Sequence, residues 1–203
     1  MLTVPFLYII EDNPPIQEIV DANIVPRIIQ LLDLDTYPRI QYEAAWCLTN
    51  IATGDREHVL CIVEKGVIRK LAKLLNSKDD GLKEQAMWAL CNIAGEDIDF
   101  RDSVLSEGVF PILLNILKNT TKPSLIKNGC WELATLLRDP LHLPFENVKE
   151  ALEFICKTIN ESEESETLNY ACQALADVEK VAACEAQSLN IQCVFPRLIQ
   201  LLK

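Results

Sequence analysis

Apolar residues three or four positions apart mark out a succession of amphipathic helices along this chain. In QYEAAWCLTNIATG (41–54) and KEQAMWALCNIAGE (83–96), the sets Ala45, Leu48, Ala52 and Ala86, Leu90, Ile93 follow helical spacing. A second kind of segment ends in a Leu/Ile pair: DANIVPRIIQLL (21–32), EKGVIRKLAKLL (64–75), SEGVFPILLNIL (106–117) and NIQCVFPRLIQLL (190–202). KEALEFICKTI at 149–159 is a weaker copy. The two kinds alternate in register. Pro26, Arg69, Pro111, Glu153 and Pro196 are equivalent, with steps of 43, 42, 42 and 43, and Trp46, Trp88 and Trp131 stand 42 and 43 apart. A fixed period near 42 predicts a stack of helical units, an all-α repeat array of about four to five repeats.

Each full unit reads as a short helix, a turn, a second helix, a polar loop and a longer third helix bearing the Trp. Gly66 and Gly108 fall between first and second helices, while Gly54 and Gly95 follow third helices; all four suit a left-handed C-cap. NSKDD (76–80), NTTKP (119–123) and ESEESE (161–166) are the predicted loops, the last a solvated acidic run. Pro140 and Pro144 interrupt the fourth unit, so its first helix is expected to be missing or remodelled. The expected division is one array over 1–203. It comprises a partial repeat 1–11, units of roughly 13–54, 55–95, 96–139 and 140–180, and an incomplete unit 181–203. Arrays need polar capping units. The open terminal edge leaves self-association, or cover by a partner, as alternatives.

Charge narrows the partners. With 30 acidic against 19 basic residues, the net charge of −11 disfavours a nucleic-acid backbone and favours a cationic ligand. The opening MLTVPFLYII has no basic start and meets Glu11 and Asp12 too soon for a signal peptide, and no apolar run is long enough for a membrane span. The 8 cysteines include no CxxC pair; Cys47, Cys91, Cys130 and Cys172 fall on repeat helices and read as reduced structural thiols. His58 and His142 lie in unrelated contexts, outside any metal or nucleophile motif. Scarce glycine leaves no phosphate-cradling loop. The expectation is no enzyme, no catalytic residue, no metal and no cofactor.

Trp46 and Asn50 share one helix face, as do Trp88 and Asn92, because i and i+4 are neighbours on a helix. Stacked helices lie about 8–10 Å apart, and an extended peptide advances about 3.3–3.6 Å per residue. Each repeat therefore matches two to three ligand residues. An Asn amide can bond a main chain without reading side chains, and indoles can flank the stems of Lys or Arg. Three Trp in the core remain the alternative. Against it, Ala and Leu already fill the core positions, and a core Trp has no need of an Asn one turn away.

QYEAAWCLTNIATG, KEQAMWALCNIAG and NPPIQEIV (13–20) closely resemble the importin-α (karyopherin-α) family; the likeness runs along nearly the whole chain, specific in 41–117 and looser from 118. The resemblance implies an armadillo-repeat, right-handed superhelical solenoid. Its concave groove would bind lysine-rich nuclear localisation signals of cargo proteins, as an adaptor for nuclear import in cytoplasm and nucleus. The implied peptide-binding positions are Trp46, Asn50, Gly54, Gln85, Trp88, Asn92, Glu96, Asn128 and Trp131. Gly54 matches a carbonyl that holds the key lysine, and Glu96 its acidic partner.

The departures from the family pattern are local. Glu96 stands for the usual Asp and Val59 for a Thr, removing a hydrogen bond worth roughly 0.5–1.5 kcal/mol. Thr135 replaces the third Asn and Gln173 the next Trp, so the ladder is two complete rungs, a half rung and a missing one. The basic segment that engages importin-β and the repeats of the minor signal site are expected to be absent. Importin-β is therefore a partner only if such a segment is supplied. The alternative is a non-import armadillo scaffold, such as a cytoskeletal or adhesion adaptor, or an assembly module using the open edge. Charge argues against the adhesion type, whose groove is basic.

Overall fold

A computed structural model describes residues 15–138, 143–185 and 191–202, with the backbone alone over 179–185. The expected partial repeat 1–11, Pro140 and His142 lie outside these residues. Every regular element described is a helix. The helices fall into two compact units, 1–109 and 110–203.

The first unit holds α1 (Ile16–Asp21), α2 (Val25–Leu31), α3 (Pro38–Ile51), α4 (Arg56–Val63), α5 (Val67–Leu74), α6 (Asp80–Glu96) and α7 (Ile98–Ser106). Local chemistry sets their starts. Pro26 and Pro38 occupy first-turn positions, where a missing N–H costs nothing. Asp55, Asp79 and Asp97 each accept a backbone N–H in the first turn of α4, α6 and α7. In α5, Val67, Ile68, Leu71, Ala72 and Leu74 turn inward. Outside, Lys70 pairs with Asp33, and Lys73 meets Asp35 at 3.0 Å. α3 packs on α6, and α6 on α5 and α7. Ala44, Ala45, Ala86 and Ala89, all fully buried, let the long helices come close.

The second unit takes up α8 (Val109–Asn119), α9 (Pro123–Leu136), α10 (Phe145–Glu161), α11 (Ser165–Glu185), a 3-10 turn (Gln192–Val194) and α12 (Phe195–Leu201). α11 packs on both α9 and α10. Gly129 on α9 faces Leu117 of α8 so closely that an added Cβ would lie well inside contact distance of Leu117 Cδ2. Leu117 is buried, and its side chain must shift to admit a methyl group. Gly129→Ala is therefore expected to lower stability by about 1–3 kcal/mol through overpacking, despite alanine's better helix propensity. A lowered midpoint in chemical denaturation checks this; an unchanged or raised one would show that Leu117 yields freely.

Two of the four glycine expectations need correction. Gly66 and Gly108 are left-handed as predicted, but Gly54 and Gly95 are not. Gly95 lies inside α6, which runs one residue further and ends at an extended Asp97. The acidic run is exposed, as a solvated loop should be, and it also makes surface contacts: Glu163 holds Arg197 at 2.8 Å, Glu166 holds Lys127 at 2.9 Å, and Glu164 accepts from Thr167. In the fourth unit, in line with the expected remodelling, residues 145–161 form one 17-residue helix with Pro144 at its N-cap. Of the cysteines, the seven described are free. Burial pushes the thiols of Cys47, Cys130 and Cys156 up to about 12, which keeps them protonated and unreactive.

Candidate functional site

In the first unit, α3 and α6 carry the two complete Trp/Asn pairs. Trp88 is 42% exposed, unusual for so large an apolar side chain. Trp46 is half-buried, with Tyr42 edge-on at a ring separation of 6.2 Å. Asn92 is partly buried, and its Nδ2 donates to the Thr49 carbonyl on α3 at 3.4 Å. Its Oδ1 and a second N–H remain for a ligand. Asn50 is likewise partly buried.

Gln85 is placed differently from the expectation. It is only 4% exposed, and its Nε2 donates to Thr49 Oγ1 at 2.7 Å. Three residues before Trp88 is about 60° around the helix, enough to aim the side chain at α3 instead of solvent. Thr49 donates in turn to the Ala45 carbonyl at 2.9 Å. Gln85 thus ties the two helices together and supports the pairs beside it.

At the far end of α3, Gly54 has a packing reason. A Cβ there would sit 2.5 Å from His58 Nδ1. The His58 ring closes the start of α4, with Nδ1 accepting from the Asp55 N–H at 3.2 Å and Nε2 lying 3.0 Å from Gln17 Oε1. Val59 is fully buried and lends no surface. Glu96, the last residue of α6, is exposed and makes no ion pair among the described residues. Next to it, Asp97 accepts the Asp99 N–H at 2.9 Å and Arg56 Nε at 3.0 Å. That bond and the Asp97 charge, with Asp99 and Glu57 behind, hold the Arg56 guanidinium above its usual range. The guanidinium also lies 5.3 Å over the Phe100 ring. The Arg56–Asp97 pair went unread in the sequence, although opposite charges one repeat apart were the available signal.

In the second unit, α9 presents the half rung. Trp131 is partly exposed and tilts against Tyr170 at 6.2 Å. Thr135, at the Asn position, donates back to the Trp131 carbonyl at 3.1 Å. Asn128 is only 5% exposed, so, like Gln85, it offers little to a ligand. Gln173 is exposed. Among the described residues, no three His, Cys, Asp or Glu side chains gather as a metal site, and no helix is long and apolar enough to cross a membrane.

Comparison with known proteins bears on the fold and the family. The family model for the armadillo/beta-catenin-like repeat matches residues 12–53 and 55–95. Importin subunit alpha-2 of Arabidopsis thaliana is 39% identical over 194 residues, covering 96% of this chain and 36% of its own length. Importin subunit alpha-1b of Oryza sativa subsp. japonica is 39% identical over 193 residues, covering 95% of this chain and 36% of its own length. The chain thus spans about a third of these relatives. Among solved structures, a designed armadillo repeat protein in complex with peptide (KR)4 matches at TM-score 0.73 and 24% identity, over 91% of this chain and 77% of its own. A computationally designed armadillo repeat protein for modular peptide recognition matches at TM-score 0.77 and 20% identity, over 96% and 81%. These two likenesses establish the fold. The helix succession, the repeat match and the similarity to importin alpha subunits along 95–96% of this chain make it an armadillo-repeat member of the importin-α family.

Proposed function

We propose that the face built from Trp46, Asn50, Trp88 and Asn92 binds lysine-rich, extended segments of cargo proteins, in the service of nuclear import between cytoplasm and nucleus. The observation that carries this reading is the exposed indole of Trp88 beside an Asn92 amide tethered to the next helix. With one N–H so tethered, the amide oxygen remains to accept a peptide N–H, which it recognises whatever the side chain. Glu96, exposed and without an ion pair, supplies the negative charge at the helix end. Gly54, in the connection from α3 to α4, offers its carbonyl, and in the second unit Trp131 offers a further partly exposed indole. Gln85 acts from beneath, as a support through Thr49. No step of covalent chemistry is involved.

A fluorescein-labelled lysine-rich nuclear localisation peptide, titrated against the chain, tests this reading. Changing Asn50 and Asn92 to Ala is expected to weaken binding about tenfold, since each lost hydrogen bond is worth roughly 0.5–1.5 kcal/mol. Affinity should also fall as salt rises, because charges are screened within about 10 Å at 0.1 M. Equal affinity for parent and variant, or indifference to salt, would remove the pairs and the acidic field from the explanation.

A further inference from the structure

The second unit holds a cavity of about 580 Å³ that the Trp/Asn face does not use. It opens between the end of α8, the 120–122 connection, the start of α9, and α10 with the connection that follows it. Ile126 lines it from α9. Trp131 stands five residues on, about 140° around the same helix, so the cavity and the indole face different ways.

The lining has two characters. Leu117, Ile126 and the half-buried Phe154 form an apolar floor. Glu150, Glu153, Glu161 and Glu164 stand around it, with Lys118 and Lys157 as the lining cations. Lys118 is taken by Glu150 at 2.7 Å, and Lys157 faces Glu161 at 4.0 Å. Glu164 is turned to Thr167. Glu153 has no ion pair among the described residues. Four carboxylates against two ammonium groups leave the wall net negative around an apolar floor.

We propose that this cavity docks a partner protein segment that presents an apolar side chain flanked by Lys or Arg. Its volume falls within the range of about 300–1,000 Å³ typical of ligand pockets, room for one or two large side chains. The apolar anchor loses water against Leu117, Ile126 and Phe154 while the flanking cations reach the carboxylates. A nucleic acid would meet those carboxylates with its own phosphates. A second copy of this chain, itself carrying −11, is repelled by the same wall.

The test separates this site from the Trp/Asn face by using the full chain with Trp88→Ala and Asn92→Ala. A fluorescein-labelled peptide Lys-Arg-Leu-Phe-Lys-Arg is titrated by anisotropy. Two controls accompany it: one with Glu in place of every basic residue, and one with Ala in place of Leu and Phe. Binding of the first peptide is expected to persist in this background, with both controls weaker by about tenfold or more. Adding Glu153→Lys or Phe154→Ala should weaken it by a similar factor. Absence of binding in the double variant, or affinity indifferent to both additions, overturns the proposal. Circular dichroism reports whether Phe154→Ala folds; if it does not, Glu153→Lys, at an exposed helix position, decides alone.

Discussion

Replacing Glu132 with leucine is expected to raise the stability of this chain at neutral pH, and increasingly so as pH rises. Glu132 lies in α9 with 0% exposure, and neither carboxylate oxygen has a hydrogen-bond partner. Burial alone pushes its carboxyl well above the usual value of 4.5. In the folded chain it therefore keeps its proton at pH values where the unfolded chain has released it. Between those two pKa values the unfolded state binds fewer protons, so stability falls as pH climbs from 4.5 toward the folded value, then levels off. Leucine removes both the ionisation penalty and the unsatisfied polar atoms. A buried unsatisfied group costs about 1–3 kcal/mol, and each kcal/mol moves the midpoint of a chain this size by roughly 2–4 °C. Glutamine should recover only part of the gain, since it keeps an unpartnered amide. Thermal melts of parent, Glu132→Gln and Glu132→Leu at pH 5 and pH 8 check this. Parallel pH slopes for all three would mean that Glu132 is ionised in the fold and held by something else.

Trp88→Ala is expected to weaken binding of a lysine-rich peptide by about ten- to a hundredfold while leaving the helical signal intact. The indole offers a cation–π contribution of about 0.5–2 kcal/mol, together with apolar contact area for a lysine stem at about 25 cal/mol per Å². Its 42% exposure means that little of the folded core depends on it. Trp46 is the contrasting position. With Tyr42 at its edge, substitution there should disturb α3 as well as the ligand. Anisotropy titration with circular dichroism on the same samples separates the two effects. Unchanged affinity on Trp88→Ala would place peptide binding elsewhere on the chain.

The array and its phase were legible because they rest on periodicity, which survives drift of individual residues. The in-phase Trp and Asn residues were equally open to reading, since i and i+4 fix their common face without any tertiary knowledge. What escaped was decided by neighbours. Gln85 and Asn128 sit about 60° from the indoles they precede, and only the packing against the adjacent helix shows that this sector is buried. Gly54 looked like a helix terminator, yet its need is the close approach of His58. The acidic residues 163, 164 and 166 are exposed as read, but their partners Arg197, Thr167 and Lys127 come from elsewhere in the fold or from the next helix. Glu132 is the extreme case, because nothing local distinguishes a buried carboxyl from a surface one.

The two bonds that converge on Thr49 bear on which length changes this fold can absorb. Gln85 and Asn92 reach the hydroxyl and the carbonyl of that one residue from positions two turns apart on α6. A single residue inserted between them would swing one partner by about 100° and leave the other in place. The connections at 75–79 and 120–122 carry no such double constraint. Insertions and deletions in natural relatives should therefore gather in those connections and spare the stretch from Gln85 to Asn92.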